Sequence, residues 1–75
     1  MKVHYFHIRI APDEWLRYYR GTAEAVLVTS LSGLRISIPA VHFRQFTTFM
    51  GIQGVFRLIL NDDNTFVKLD QLRHY

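Results

Sequence analysis

The chain opens on an alternation. From Val3 to Ile10, the apolar Phe6, Ile8 and Ile10 take every second position, with Tyr5, His7 and Arg9 between them. That is the period of a half-buried strand. Ala11-Pro12-Asp13-Glu14 then changes the period. Pro suits the first turn of a helix, where its missing N–H would have no partner, and two acids complement the positive end of the helix dipole. Trp15, Leu16 and Tyr19 share one side of that helix, Arg17 and Arg20 lie near its C-terminal end, and Gly21 is a stop signal. A helix of about two to three turns does not persist without docking. Its aromatic stripe is therefore expected in the core, with the helix as a plug.

Alternation returns from Ala23 to Thr29, with Ala25 and Leu27 on one side and Val26 and Val28 on the other. Because both sets are apolar, the expectation is a strand covered on both faces, with Val26 and Val28 opposite the core set. Ser30-Leu31-Ser32-Gly33 is turn chemistry, and Leu34, Ile36 and Ile38 alternate with Arg35 and Ser37 up to Pro39. This predicts a hairpin whose second strand ends at the proline. Pro39 to Phe46 predicts a helical turn with Phe43 and Phe46 on one side. Gly51 and Gly54 bracket Ile52 and predict a bend or bulge before a strand over 55–60. In that strand Phe56, Leu58 and Leu60 face inward, while Val55, Arg57 and Ile59 face outward. Asn61-Asp62-Asp63-Asn64 is a polar hairpin loop leading to a strand from Thr65 to about Leu69. Its register stays open, because Phe66 and Val67 cannot share a face.

The predicted order is strand, helix, strand, strand, turn, strand, strand. The fold class is α+β: a strongly bent antiparallel β-sheet or small open barrel of about five strands with one short helix. Seventy-five residues, 49% of them hydrophobic and 15% aromatic, support one hydrophobic core, so residues 1–75 form a single domain. No cysteine is present, which removes disulfides and thiolate metal sites and fits a reducing cytoplasm. No apolar run reaches the ~20 residues of a membrane-spanning helix. The expectation is a soluble cytoplasmic protein that does not bind membranes.

The run YYRGTAEAVLVTSLSGLRISIPAVHFRQF from Tyr18, followed by GIQGVFRLIL and FVKLDQL, resembles a family of short bacterial proteins labelled domain of unknown function 2835. Tyr19-Arg20-Gly21, Pro39-Ala40 and Gly51-Ile52-Gln53-Gly54 carry most of the likeness, which extends over nearly the whole chain. One departure is Gln45, where the family pattern has a proline after the arginine. The resemblance implies a stand-alone domain of this length and brings no activity, cofactor or site residue with it.

No constellation for catalysis emerges from the residues themselves. His4 and His7 are three apart on a strand and so point to opposite faces, and His42 and His74 can join them only through the fold. The acids Asp13 and Glu14 belong to the helix start, and Asp62 and Asp63 to a turn. No catalytic, metal or cofactor site is assigned, no small-molecule ligand is inferred, and an enzyme is not expected. Charge adds one candidate. Nine basic residues, seven of them Arg, face six acids, for a net charge of +3. Arg17, Arg20, Arg35, Arg44 and Arg57 are the candidate surface for a polyanion or partner. Two functions follow. The first is a non-enzymatic interaction or assembly module, including a homodimer that covers the second apolar sheet face. The second is single-stranded nucleic-acid binding, with arginines on phosphates and aromatics on bases.

Overall fold

The alternation at the N-terminus builds strand β1 over Lys2–Ile10, with Phe6 and Ile10 buried and Tyr5, His7 and Arg9 exposed. The computed structural model describes residues 1–21 and 24–73. Helix α1 follows at Pro12–Tyr19, with Pro12 in its first turn, Asp13 and Glu14 beside it and Arg17 in the last turn. Strands β2 (Ala25–Thr29) and β3 (Arg35–Pro39) form a hairpin, and a 3-10 helix, η1, spans Ala40–Phe46. Strands β4 (Ile52–Leu60) and β5 (Phe66–Arg73) complete the chain.

The fold is α+β, with the five strands divided between two antiparallel sheets that do not close on each other. One sheet has the order β1-β4-β5, and the other is β2-β3. The inner faces of the two sheets meet over a core centred on Phe56. The Phe6 ring stacks on it at 5.5 Å between centroids, and Phe43 and Phe46 meet it edge-on at 5.6 and 5.2 Å. Phe6, Phe43 and Phe56 are fully buried. Truncating such a ring in a packed core costs about 3–5 kcal/mol. The cluster ties β1 and β4 to η1 and so decides where η1 sits.

Several expectations change. Val26 and Val28 are core residues, whereas Ala25 and Leu27 are exposed, so β2 is covered on one face rather than two. Alternation could not choose between two apolar sets; packing against the larger sheet did. In α1 only Trp15 is buried, while Leu16 and Tyr19 are about half exposed. So short a helix reaches the core with one row, and Tyr18, one turn beyond Trp15, stacks on it at 5.6 Å. The Trp15 indole N–H donates to Thr47 Oγ1 at 2.9 Å, which satisfies its polar edge. Ala23, taken as the start of β2, lies outside the described residues, as does His74.

The glycine pair also resolves differently from the expected bracket. Gly51 closes a tight turn with Thr48, whereas Gly54 lies inside β4, which begins three residues earlier than the pattern suggested. A Cβ on Gly51 would lie 2.0 Å from the Ile10 carbonyl oxygen, and one on Gly54 would lie 2.1 Å from that of Arg73. Both glycines have positive φ. They allow β4 to cross close to the end of β1 and under the end of β5. The ambiguity at Phe66 and Val67 is settled by a bulge: Ile59 pairs with Lys68 and Leu60 with Phe66, so Val67 is the extra residue.

Gly51→Ala combines a backbone clash with a strained φ. It is expected to lower stability by roughly 3 kcal/mol or more. Gly33→Ala, also at positive φ but with open space around it, is expected to cost about 1–2 kcal/mol. Urea denaturation of the two variants checks the difference; equal losses would remove the close-approach explanation.

Candidate functional site

Between β3 and the β4–β5 hairpin the two sheets part and leave a cleft of about 480 Å³. That size lies within the ~300–1,000 Å³ of ligand-binding clefts. From β4 only alternate residues, Leu58 and Leu60, reach it, so β4 presents a face. Leu34 and every residue of β3 from Arg35 to Pro39 line it, so β3 presents an edge.

The hairpin register identifies the backbone groups on that edge. The Ala40 N–H donates to the Glu24 carbonyl, and the Ser30 N–H to the Leu34 carbonyl, each at 2.8 Å. Hydrogen-bonded pairs alternate along an antiparallel ladder. Val26–Ile38 and Val28–Ile36 are therefore bonded pairs too, and the backbone groups of Arg35 and Ser37 turn away from β2. Among the described residues no strand pairs on that side of β3.

Among the described residues, Arg35, His4 and His42 line the cleft and no acid does, so Arg35 is the one formal charge in its lining. Lys2 stands at its mouth, where its ammonium donates to Asn64 Oδ1 at 2.8 Å. Two nearby acids are occupied. Asp62 pairs with the N-terminal ammonium, and Asp63 accepts hydrogen bonds from the Thr65 hydroxyl at 2.7 Å and its N–H at 3.1 Å. Those bonds, the hydroxyl first, hold the Asp63 carboxyl below its ordinary pKa. One wall is a flat stack of His42 on Phe66, with centroids 3.6 Å apart and planes 6° from parallel. Beyond this stack a second groove runs along β5, lined by successive residues Phe66 to Gln71 and by η1. Thus η1 touches both β3 and β5 and borders a groove on each side of the His42–Phe66 stack.

The five arginines do not share one surface. Arg17 and Arg20 lie at the C-terminal end of α1, and the Arg44 guanidinium sits 5.2 Å over the Tyr19 ring, which brings these three to one corner. Arg35 lies on the cleft wall. Arg57 projects from the outer face of β4 and donates to Asp70 of β5 at 2.9 Å, with Lys68 also 3.5 Å from that carboxylate. The Arg57 guanidinium holds the Asp70 carboxyl below its ordinary pKa, and Asp70 in turn raises that of Arg57. The Arg57 Nε is covered and has no hydrogen-bond partner among the described residues.

Sequence patterning pointed to Arg35 but missed His4, Ser37, His42 and Phe66 as cleft residues. The available signals were Pro39, a residue confined to edges within sheets, and the unresolved register at Phe66. Ser30 and Ser32 belong to the turn between β2 and β3. Ser30 Oγ lies 2.8 Å from Ser32 Oγ and accepts from the Leu34 N–H. Among the described residues no three His, Asp or Glu gather as metal ligands, and no helix is long and apolar enough to cross a membrane. A family model described as protein of unknown function, DUF2835, matches residues 2–72. No curated protein and no solved structure matches the chain.

The Arg57–Asp70 pair has a pH signature. A depressed carboxylate pKa adds stability that is full above the ordinary aspartate value of about 3.9 and is lost as pH falls through the lower folded value. Asp70→Asn is therefore expected to be less stable than the parent at neutral pH, with the gap narrowing below about pH 4. Denaturation midpoints over a pH series check this; a gap independent of pH would contradict it.

Proposed function

The chain belongs to the DUF2835 family of proteins of unknown function, and from that premise we propose a non-enzymatic interaction module whose open seam receives an extended segment of another protein. The observation that carries this reading is the edge of β3. Its free backbone groups run along a cleft floored by Leu58 and Leu60. An unpaired strand edge beside an apolar floor is the arrangement that strand-adding recognition modules use. The absence of cysteine fits work in the reducing cytoplasm.

Two other readings rank below it. A homodimer would use the outer face of the β1-β4-β5 sheet, where Val3, Tyr5, Val55 and Ile59 are exposed or half-buried. The Arg57–Asp70 ion pair interrupts that face at its centre. Single-stranded nucleic acid would use the corner of Arg17, Arg20, Arg44 and Tyr19. That corner offers three arginines of the original five, since Arg57 is engaged with Asp70 and Arg35 lies in the cleft.

Panning a random-peptide phage library against the full chain, followed by amide chemical-shift mapping of an enriched peptide, tests the proposal. Enrichment with shifts concentrated at residues 34–39, 64 and 66 is expected. No enrichment, or shifts centred on Val55 and Ile59 or on the Arg17–Arg44 corner, would overturn it in favour of the other surfaces.

A further inference from the structure

We propose that the occupant of the seam pairs as an added strand on β3 and carries an acidic side chain opposite Arg35, with apolar side chains at the flanking alternate positions. This rests on the interaction-module reading above and specifies the chemistry of its partner.

The pairing mode follows from the backbone. Arg35 and Ser37 together direct two N–H and two C=O groups toward the cleft. An extended chain offers the complementary groups at the same spacing. Pro39 has no N–H to give, so the ladder stops there. The edge of β5, across the cleft and η1 from β3, is guarded. Strand β5 is broken by register shifts at both ends, carries Lys68 and Asp70, and lies against η1. Bulges, charges and cover are the devices by which edges are kept from pairing. The edge of β3 keeps an unbroken register, and the floor beside it is apolar.

The side-chain pattern follows from the period of a strand. Residues opposite Arg35 and Ser37 lie on the outer side of the added strand, and those opposite Ile36 and Ile38 turn toward Leu58 and Leu60. Charge selects the outer residue. Around the cleft stand Lys2, His4, Arg35 and His42, no acid among the described residues lines it, and the acids nearest its mouth are already bonded. A second copy of β3 would bring another arginine to a cleft whose one formal charge is already Arg35. The pattern that fits is acid, apolar, any residue, apolar.

An enriched peptide from the panning, made with a fluorescent label, separates this inference from the broader one. Its affinity is measured by polarisation for the parent chain and for Arg35→Glu. Two further peptides, N-methylated at alternate residues on one edge or on the other, complete the set. The expected results are at least tenfold weaker binding to Arg35→Glu and recovery when the peptide acid is changed to Lys. N-methylation should abolish binding on one edge and be tolerated on the other. A peptide that maps to the seam yet binds Arg35→Glu equally, or tolerates N-methylation on both edges, would overturn this inference and leave the seam as a site recognised through side chains. A peptide that maps elsewhere would overturn both.

Discussion

Phe56 is met by rings from both sides of the chain's midpoint: Phe6 stacks on it from β1, and Phe43 and Phe46 close on it from η1. In a chain without disulfides this aromatic cluster and the β1–β4 ladder cross-link segments distant in sequence. It also fixes η1, whose Phe43 is fully buried among these rings. With η1 anchored there, touching both β3 and β5, the two strands are held apart at that end. The open seam is a consequence of where the aromatic core places the 3-10 helix.

A fold of two small open sheets has to manage every strand edge that it does not pair. Between β1 and β2 the join is pinned by the Leu31 N–H donating to the Tyr5 carbonyl at 2.8 Å, while Glu14 and Tyr18 of α1 border the gap. Along β5 the edge is bulged, charged and bordered by η1. Strand β3 combines a regular ladder on one side with an edge on which, among the described residues, no strand pairs. Its floor is apolar and Arg35 charges its wall, which together give the seam a chemical preference beyond mere exposure.

Much of the fold was legible because alternation reports burial directly. It fixed the faces of β1, β3 and β4, and Pro12, Asp13 and Glu14 marked the start of α1 correctly. It failed where two apolar sets competed. In β2 the inward set is Val26 and Val28, which only the position of the other sheet decides. In α1 Trp15 meets the expected Tyr19 edge-on at 6.2 Å but stacks on Tyr18, which patterning left off the stripe, because the approach angle of a docked helix is a tertiary property. Gly54 hid the first residues of β4, since a glycine that permits close approach within a strand looks the same in sequence as one that breaks it. The cleft was less legible still. An edge is free only relative to a strand order, and that order is set by pairings between residues some fifty positions apart, such as Phe6 with Phe56. Arg35 was singled out for its charge, and Pro39 at the end of the same strand was the local sign that the backbone beside it would be unpaired.

The account depends on β3 having one bonded and one open side in the free protein. Residue-resolved amide hydrogen exchange on the monomer measures this directly. Ile36 and Ile38, bonded to β2, should exchange slowly, and Arg35 and Ser37, directed into the cleft, should exchange at rates close to those of exposed loops. Equal protection of all four amides would mean that the seam is closed and would contradict the account.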